Sequence, residues 1–123
     1  HNDEALDLLS EALQLFPSDL NLIEFKGKAH IQKKEWEKGA KEYVKIIDNN
    51  EIPFESKLQI GTAFLTEALR DTSLLNISKA VLAEIEKDSS DWQINAYLGQ
   101  IAGLEGNDSL AVNYLRNATE KAA

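Results

Sequence analysis

The sequence predicts an all-α protein built as a linear array of helical hairpins, and three observations carry that prediction. Small residues recur at nearly constant spacing: Gly27, Gly61 and Gly99 stand at steps of 34 and then 38. A second series runs out of phase with the first, Ala5, Gly39 and Ser73 at steps of 34 and Ala111 38 later. Around it one helical face repeats four times, with Leu9, Tyr43, Ile77 and Leu115 four residues on and Ala12, Ile46, Ala80 and Ala118 seven on. Finally, no segment alternates polar and apolar residues over the length of a strand. A period of about 20–50 residues with one helical hairpin per unit marks an α-solenoid. The four extra residues of the last step amount to about one helical turn. They fall after Ala80 and before Gly99, or in the preceding loop if Asn76 and Ala83 are the small positions.

Seven helices are predicted, over 3–16, 19–33, 35–49, 54–69, 73–87, 91–105 and 108–122. Breakers separate them: Pro17, the Asn49–Asn50 pair with Pro53, Asp88–Asp91, and Gly106–Asn107. Ser18–Asp19 and Asn107–Asp108 offer N-cap chemistry, and Ser90 with Gln93 three residues on has the pattern of a capping box. The third helix is the most clearly amphipathic, with Trp36, Ala40, Tyr43, Val44 and Ile47 on one face.

Composition narrows the function classes. The 123 residues suit one domain or one stretch of an array. Thirteen basic against twenty-one acidic residues give a net charge of −8, which argues against the basic surface of a general nucleic-acid binder. With no cysteine there is no disulfide framework, thiol nucleophile or cysteine-ligated zinc. With no methionine, the chain is expected to be a processed product or a piece of a longer protein. No apolar run is long enough to span a bilayer, and no residue pattern indicates a compartment.

The repeat markers resemble the tetratricopeptide repeat (TPR) family. Leu98-Gly99-Gln100-Ile101-Ala102, Glu105-Gly106-Asn107 and Ala111 to Ala118 read as one copy over 91–123. Residues 20–53 resemble a second copy through Gly27, Trp36, Gly39, Tyr43 and Ile46. Residues 3–17 look like the second helix of a further copy, with Ala5, Leu9, Ala12, Leu13 and Pro17. Residues 54–90 are the divergent copy, marked by Gly61, Phe64, Ser73, Ile77 and Ala80. Three residues depart from the family pattern: Lys26 stands where a leucine usually precedes the first-helix glycine, and Glu51 and Ile85 replace the helix-end proline. The resemblance implies a superhelix of antiparallel helix pairs with a concave groove lined by the first helix of each pair.

Chemistry has little to work with. His1 and His30 are the only histidines, and His30 is expected to pack and make one hydrogen bond. No phosphate-binding loop, zinc-protease motif or nucleophile elbow occurs. Asp48-Asn49-Asn50-Glu51 hints at a calcium loop, but Pro53 stands where the loop's glycine belongs, so a helix end and turn are expected. No catalytic residue, metal or cofactor is therefore assigned, and the chain is not expected to be an enzyme. Three Asn-x-Ser/Thr sequons, at Asn76, Asn107 and Asn117, matter only in a eukaryotic secretory setting.

Charge is uneven. Residues 26–45 hold seven basic residues and three acids, and Lys34, Lys38, Lys41 and Lys45 form a stripe expected along the third helix. The expectation is a solvated face balanced by Glu37 and Glu42. Carried over by spacing, the family's groove falls on Asn21, Glu24, Lys28 and Ile31, on Glu55, Leu58, Thr62 and Leu65, and on Gln93, Ala96, Gln100 and Gly103. Where some family members clamp a C-terminal carboxylate, this chain has Glu24, Lys28, Gln59, Gln93 and Tyr97. Lys28 alone is cationic there, so that subclass is not implied. The expected function is a protein–protein interaction scaffold that takes a peptide or helical segment of a partner in the groove. The alternative is a structural spacer or self-association segment of a larger protein. Leu6, Leu9 and Leu13 of the first helix lack a preceding helix to cover them, which predicts a homodimer or another contact through that end.

Overall fold

The computed structural model describes residues 2–88 and 91–122 and contains seven α-helices, with no strand among the described residues. They are α1 (Asn2–Leu15), α2 (Leu20–Gln32), α3 (Trp36–Ile47), α4 (Phe54–Arg70), α5 (Leu75–Asp88), α6 (Trp92–Leu104) and α7 (Asp108–Ala122). The chain divides into two compact units, residues 1–53 and 54–123.

In the first unit α2 packs against α1 on one side and α3 on the other. Asp19 starts α2: its Oδ1 accepts from the backbone N–H groups of Asn21 at 3.0 Å and Leu22 at 3.2 Å, pairing donors that the first turn leaves unmatched. The α2–α3 seam depends on two glycines. A Cβ on Gly27 would stand 2.9 Å from the Tyr43 ring, and one on Gly39 would stand 2.7 Å from Ile31 Cδ1. The apolar core here is thin: Ile23, Ala29, Ile46 and Ile47 are its buried hydrophobic residues. Lys34, at φ 62°, reverses the chain between the helices. Its N–H bonds back to the Ile31 carbonyl and the Glu35 N–H to that of His30, the two bonds of a Schellman ending. Gly106, at φ 79°, ends α6 in the same way.

In the second unit α4 pairs with α5, α6 with α7, and α5 also packs on α6. Its core is larger and includes Phe64, Leu65, Ala68, Val81, Leu82, Ile85, Ile94, Leu98, Ile101, Ala111 and Ala118. Asp91 caps α6 by accepting from the Gln93 N–H at 2.8 Å, and Asn107 caps α7 through the Leu110 N–H at 3.2 Å. The capping residue expected at Ser90 lies outside the described residues.

The second hairpin corrects the expected repeat phase. Ser73 is exposed in a short 3-10 turn, Thr72–Leu74, where its hydroxyl donates to Asp71 at 2.7 Å. Asn76 and Ala83 are exposed as well. The small residue on the buried face of α5 is Ser78, with Leu82 and Ile85 four and seven residues on, and both of those side chains lie over Gly61. The step from Gly27 to Gly39 is 12, as is that from Gly99 to Ala111, whereas the step from Gly61 to Ser78 is 17. The insertion therefore sits between α4 and α5, absorbed by a 17-residue α4 and the 3-10 turn, not after Ala80. The small–apolar–apolar pattern starting at Ser73 is as regular as that starting at Ser78. Only packing separates them.

Candidate interaction surfaces

The expected groove residues fall on α2 in the first unit and on α4 and α6 in the second. On α2, Asn21 and Lys28 are exposed and Glu24 is half-buried. Lys28 Nζ stands 3.6 Å from Glu24 Oε1, an i, i+4 ion pair along the helix surface. Burial, helped by the charge of Glu24, pushes the Tyr43 phenol up to about 12, so it stays protonated through the physiological range. Ile31 is half-buried because its Cδ1 fills the space over Gly39. It belongs to the hairpin seam as much as to any outer face.

On α4, Leu58 and Thr62 are half-buried. Thr62 Oγ1 donates to the Leu58 carbonyl at 2.9 Å and lies 3.4 Å from the Tyr97 hydroxyl of α6. That contact ties the two first helices of successive pairs together within the unit. Leu65 corrects the expectation: at 4% exposure it is a core residue. The buried stripe of α4 runs through Gly61, Phe64, Leu65 and Ala68, spaced i, i+3, i+4 and i+7, which turns Leu65 inward. Ala96 is half-buried and Gln100 and Gly103 are exposed along the outer face of α6, opposite Ile94, Leu98 and Ile101. This surface is largely uncharged: α6 has no Asp, Glu, Lys or Arg, and neither has the 58–66 stretch of α4, while the exposed Glu55 places one acid at the start of the α4 face.

The lysine stripe is shorter than expected. Lys34 is in the turn, so α3 carries Lys38, Lys41 and Lys45, all exposed. Glu42 does not balance that face from solvent. It is 7% exposed, 3.7 Å from Lys26 and 3.0 Å from Lys45. The pair explains the departure at Lys26: the cation in the leucine position meets a buried carboxylate on the facing helix. His30 is part-buried, with Nδ1 3.0 Å from Glu35 Oε1, the single hydrogen bond expected of it. The His30 hydrogen bond, followed by that of Lys38 and the nearby Lys33 charge, holds the Glu35 carboxyl below its ordinary range. Lys33 also pairs with Asp3, linking α2 to α1. Asp48 follows the end of α3, and Asn49 Oδ1 accepts from the Glu51 N–H at 2.8 Å, the helix end and turn expected of that segment.

Sequence reasoning missed the burial of Glu42, Lys57, Ser78 and Asn95. For Glu42 the signal was present in Lys26; for the others no residue pattern marks it. No helix of the described residues is long and apolar enough to cross a membrane.

No protein-family model matches the sequence, and no curated protein matches it significantly. Solved structures do match. The chain superposes on MamA MSR-1 C2, a TPR-containing protein, with a TM-score of 0.56 at 14% identity, over 98% of this chain and 67% of that one. With the helix pairs above, that likeness gives this chain a TPR-like, all-α solenoid fold.

Proposed function

We propose that the chain is a non-enzymatic interaction scaffold of the TPR type, with repeats over 3–17, 20–53, 54–90 and 91–123. The observation that carries the proposal is the largely uncharged surface of α4 and α6, which includes Leu58, Thr62, Ala96 and Gln100 and where Thr62 meets Tyr97. Small and apolar side chains beside amide and hydroxyl groups suit an amphipathic helix or extended segment of a partner better than a highly charged tail. With few charged anchors, such binding weakens only modestly with salt. Asn21, Glu24, Lys28 and Ile31 are the corresponding positions on α2. Leu58→Arg should cost a captured partner about 2 kcal/mol or more, as expected of a central anchor, and Gln100→Glu should weaken it with the fold unchanged by circular dichroism. Lys38→Glu should cost much less. Loss of binding on Lys38→Glu, with Leu58→Arg and Gln100→Glu silent, would move the site to α3.

Self-association is a second reading, favoured by α1. Leu6, Leu9 and Leu13, expected to lack cover there, are half-buried, and the exposed leucines of α1 are instead Leu8 at 60% and Leu15 at 76%, which share a helix face.

A further inference from the structure

The second reading gains a specific partner surface from the charges of the first unit. Glu4, Asp7 and Glu11 of α1 are exposed, and a step of 34 leads from each to Lys38, Lys41 and Lys45 of α3. The two rows occupy matching places on two successive second helices and have opposite sign. Both are spaced i, i+3, i+7, a row about 10.5 Å long at 1.5 Å per residue. Among the described residues no ion pair joins the two rows; Lys38 pairs with Glu35 at 3.4 Å and Lys45 with Glu42 at 3.0 Å. These partners leave the lysine side chains 65% and 56% exposed. Helix α1 holds four acids and no base, and the exposed Leu8 and Leu15 lie along the same side as Glu4 and Glu11 at i, i+4, i+7, i+11. The corresponding places on α5 and α7, counted from Ser78 and Ala111, are Ile77, Ala80 and Glu84, and Leu110, Asn113 and Asn117, so the contrast of sign is confined to the first unit.

We infer that the acidic, leucine-bearing face of α1 docks on the lysine row of α3 of a second copy of this chain. Laid side by side and parallel, the rows bring each acid against a lysine, and Leu8 and Leu15 meet the aliphatic stems of those lysines. Exposed ion pairs contribute little singly, so the leucines supply adhesion and the charges supply register and orientation. The inference rests on the self-association reading and adds the surface that receives α1.

The test is sedimentation velocity and light scattering on the full chain. Wild type is expected to self-associate at low salt, and to do so at least tenfold more weakly at high salt, where the Debye length falls to about 3 Å. Lys38→Glu/Lys41→Glu and Glu4→Lys/Asp7→Lys should each lose association at least tenfold. An equimolar mixture of the two variants should recover it, because each then presents the charge the other lacks. A wild type that stays monomeric at millimolar concentration overturns both the inference and the self-association reading. Association that survives both charge reversals but is lost on Leu8→Lys overturns the inference alone, as does a mixture that fails to recover.

Discussion

Ser78 tests the corrected phase of the second hairpin most sharply. Its side chain is fully buried on α5 beside Leu82 and Ile85, and its hydroxyl has no hydrogen-bond partner among the described residues. An unpaired buried hydroxyl costs about 1–3 kcal/mol, and alanine is the better helix former by roughly 0.5 kcal/mol. Ser78→Ala therefore removes a penalty and adds propensity while leaving the seam over Gly61 closed. The expected gain is about 1–2 kcal/mol, read as a rise in Tm of about 3–5 °C per kcal/mol for a chain of this size. Ser73→Ala is the contrast: it loses only the exposed 2.7 Å bond to Asp71 and should cost about 0.5 kcal/mol. Leucine separates the sites further, since Ser78→Leu overpacks the seam at about 1–3 kcal/mol whereas Ser73→Leu meets solvent. Urea titrations followed by far-UV circular dichroism measure all four. A Ser78→Ala that is less stable than wild type, with Ser78→Leu tolerated, would show that Ser78 does not lie on the buried face of α5.

Other outcomes follow from the same geometry. Lys34→Gly should stabilise by about 0.5–1 kcal/mol, because relief of a left-handed residue outweighs the extra freedom of the unfolded chain; thermal melts decide it. Gly103→Ala, whose Cβ would meet nothing within 4 Å among the described residues, should stabilise by up to about 1 kcal/mol, and Gly61→Ala should gain less, since its Cβ would stand 2.8 Å from Ile85. The folded pKa of Glu35 lies below its ordinary value, so its contribution is present above the ordinary carboxylate range and lost as pH falls through the folded pKa. Glu35→Gln should accordingly flatten the acid side of the stability profile. Hydrogen exchange should be faster in α1, which has no fully buried residue among those described, than in α3, which buries Gly39, Glu42, Ile46 and Ile47.

The fold was legible because two signals agreed: glycine spacing located the seams, and helical faces located the elements. Every helix except α5 begins within one position of its predicted start, and Asp19 and Asn107 cap as their chemistry suggests. The second hairpin escaped because an i, i+4, i+7 pattern recurs from two nearby serines, Ser73 and Ser78, and only burial distinguishes them. Leu65 shows the same limit at the candidate site. Spacing puts it in line with Leu58 and Thr62, but a helix turns about 100° per residue, and three such positions span both an outer edge and the core. Glu42 was misplaced because a lysine-rich segment reads as a solvated face, and a carboxylate drawn inward by a cation on the facing helix breaks that rule.

The largely uncharged surface of α4 and α6 is proposed to receive a partner segment. Amide chemical-shift mapping with that segment, once recovered by capture and made as a peptide, tests it directly. Shifts are expected to concentrate at Leu58, Thr62, Ala96, Tyr97 and Gln100 and to be retained at about 0.5 M salt within about a factor of three in affinity. Shifts confined to Lys38, Lys41 and Lys45 and abolished by salt would contradict it.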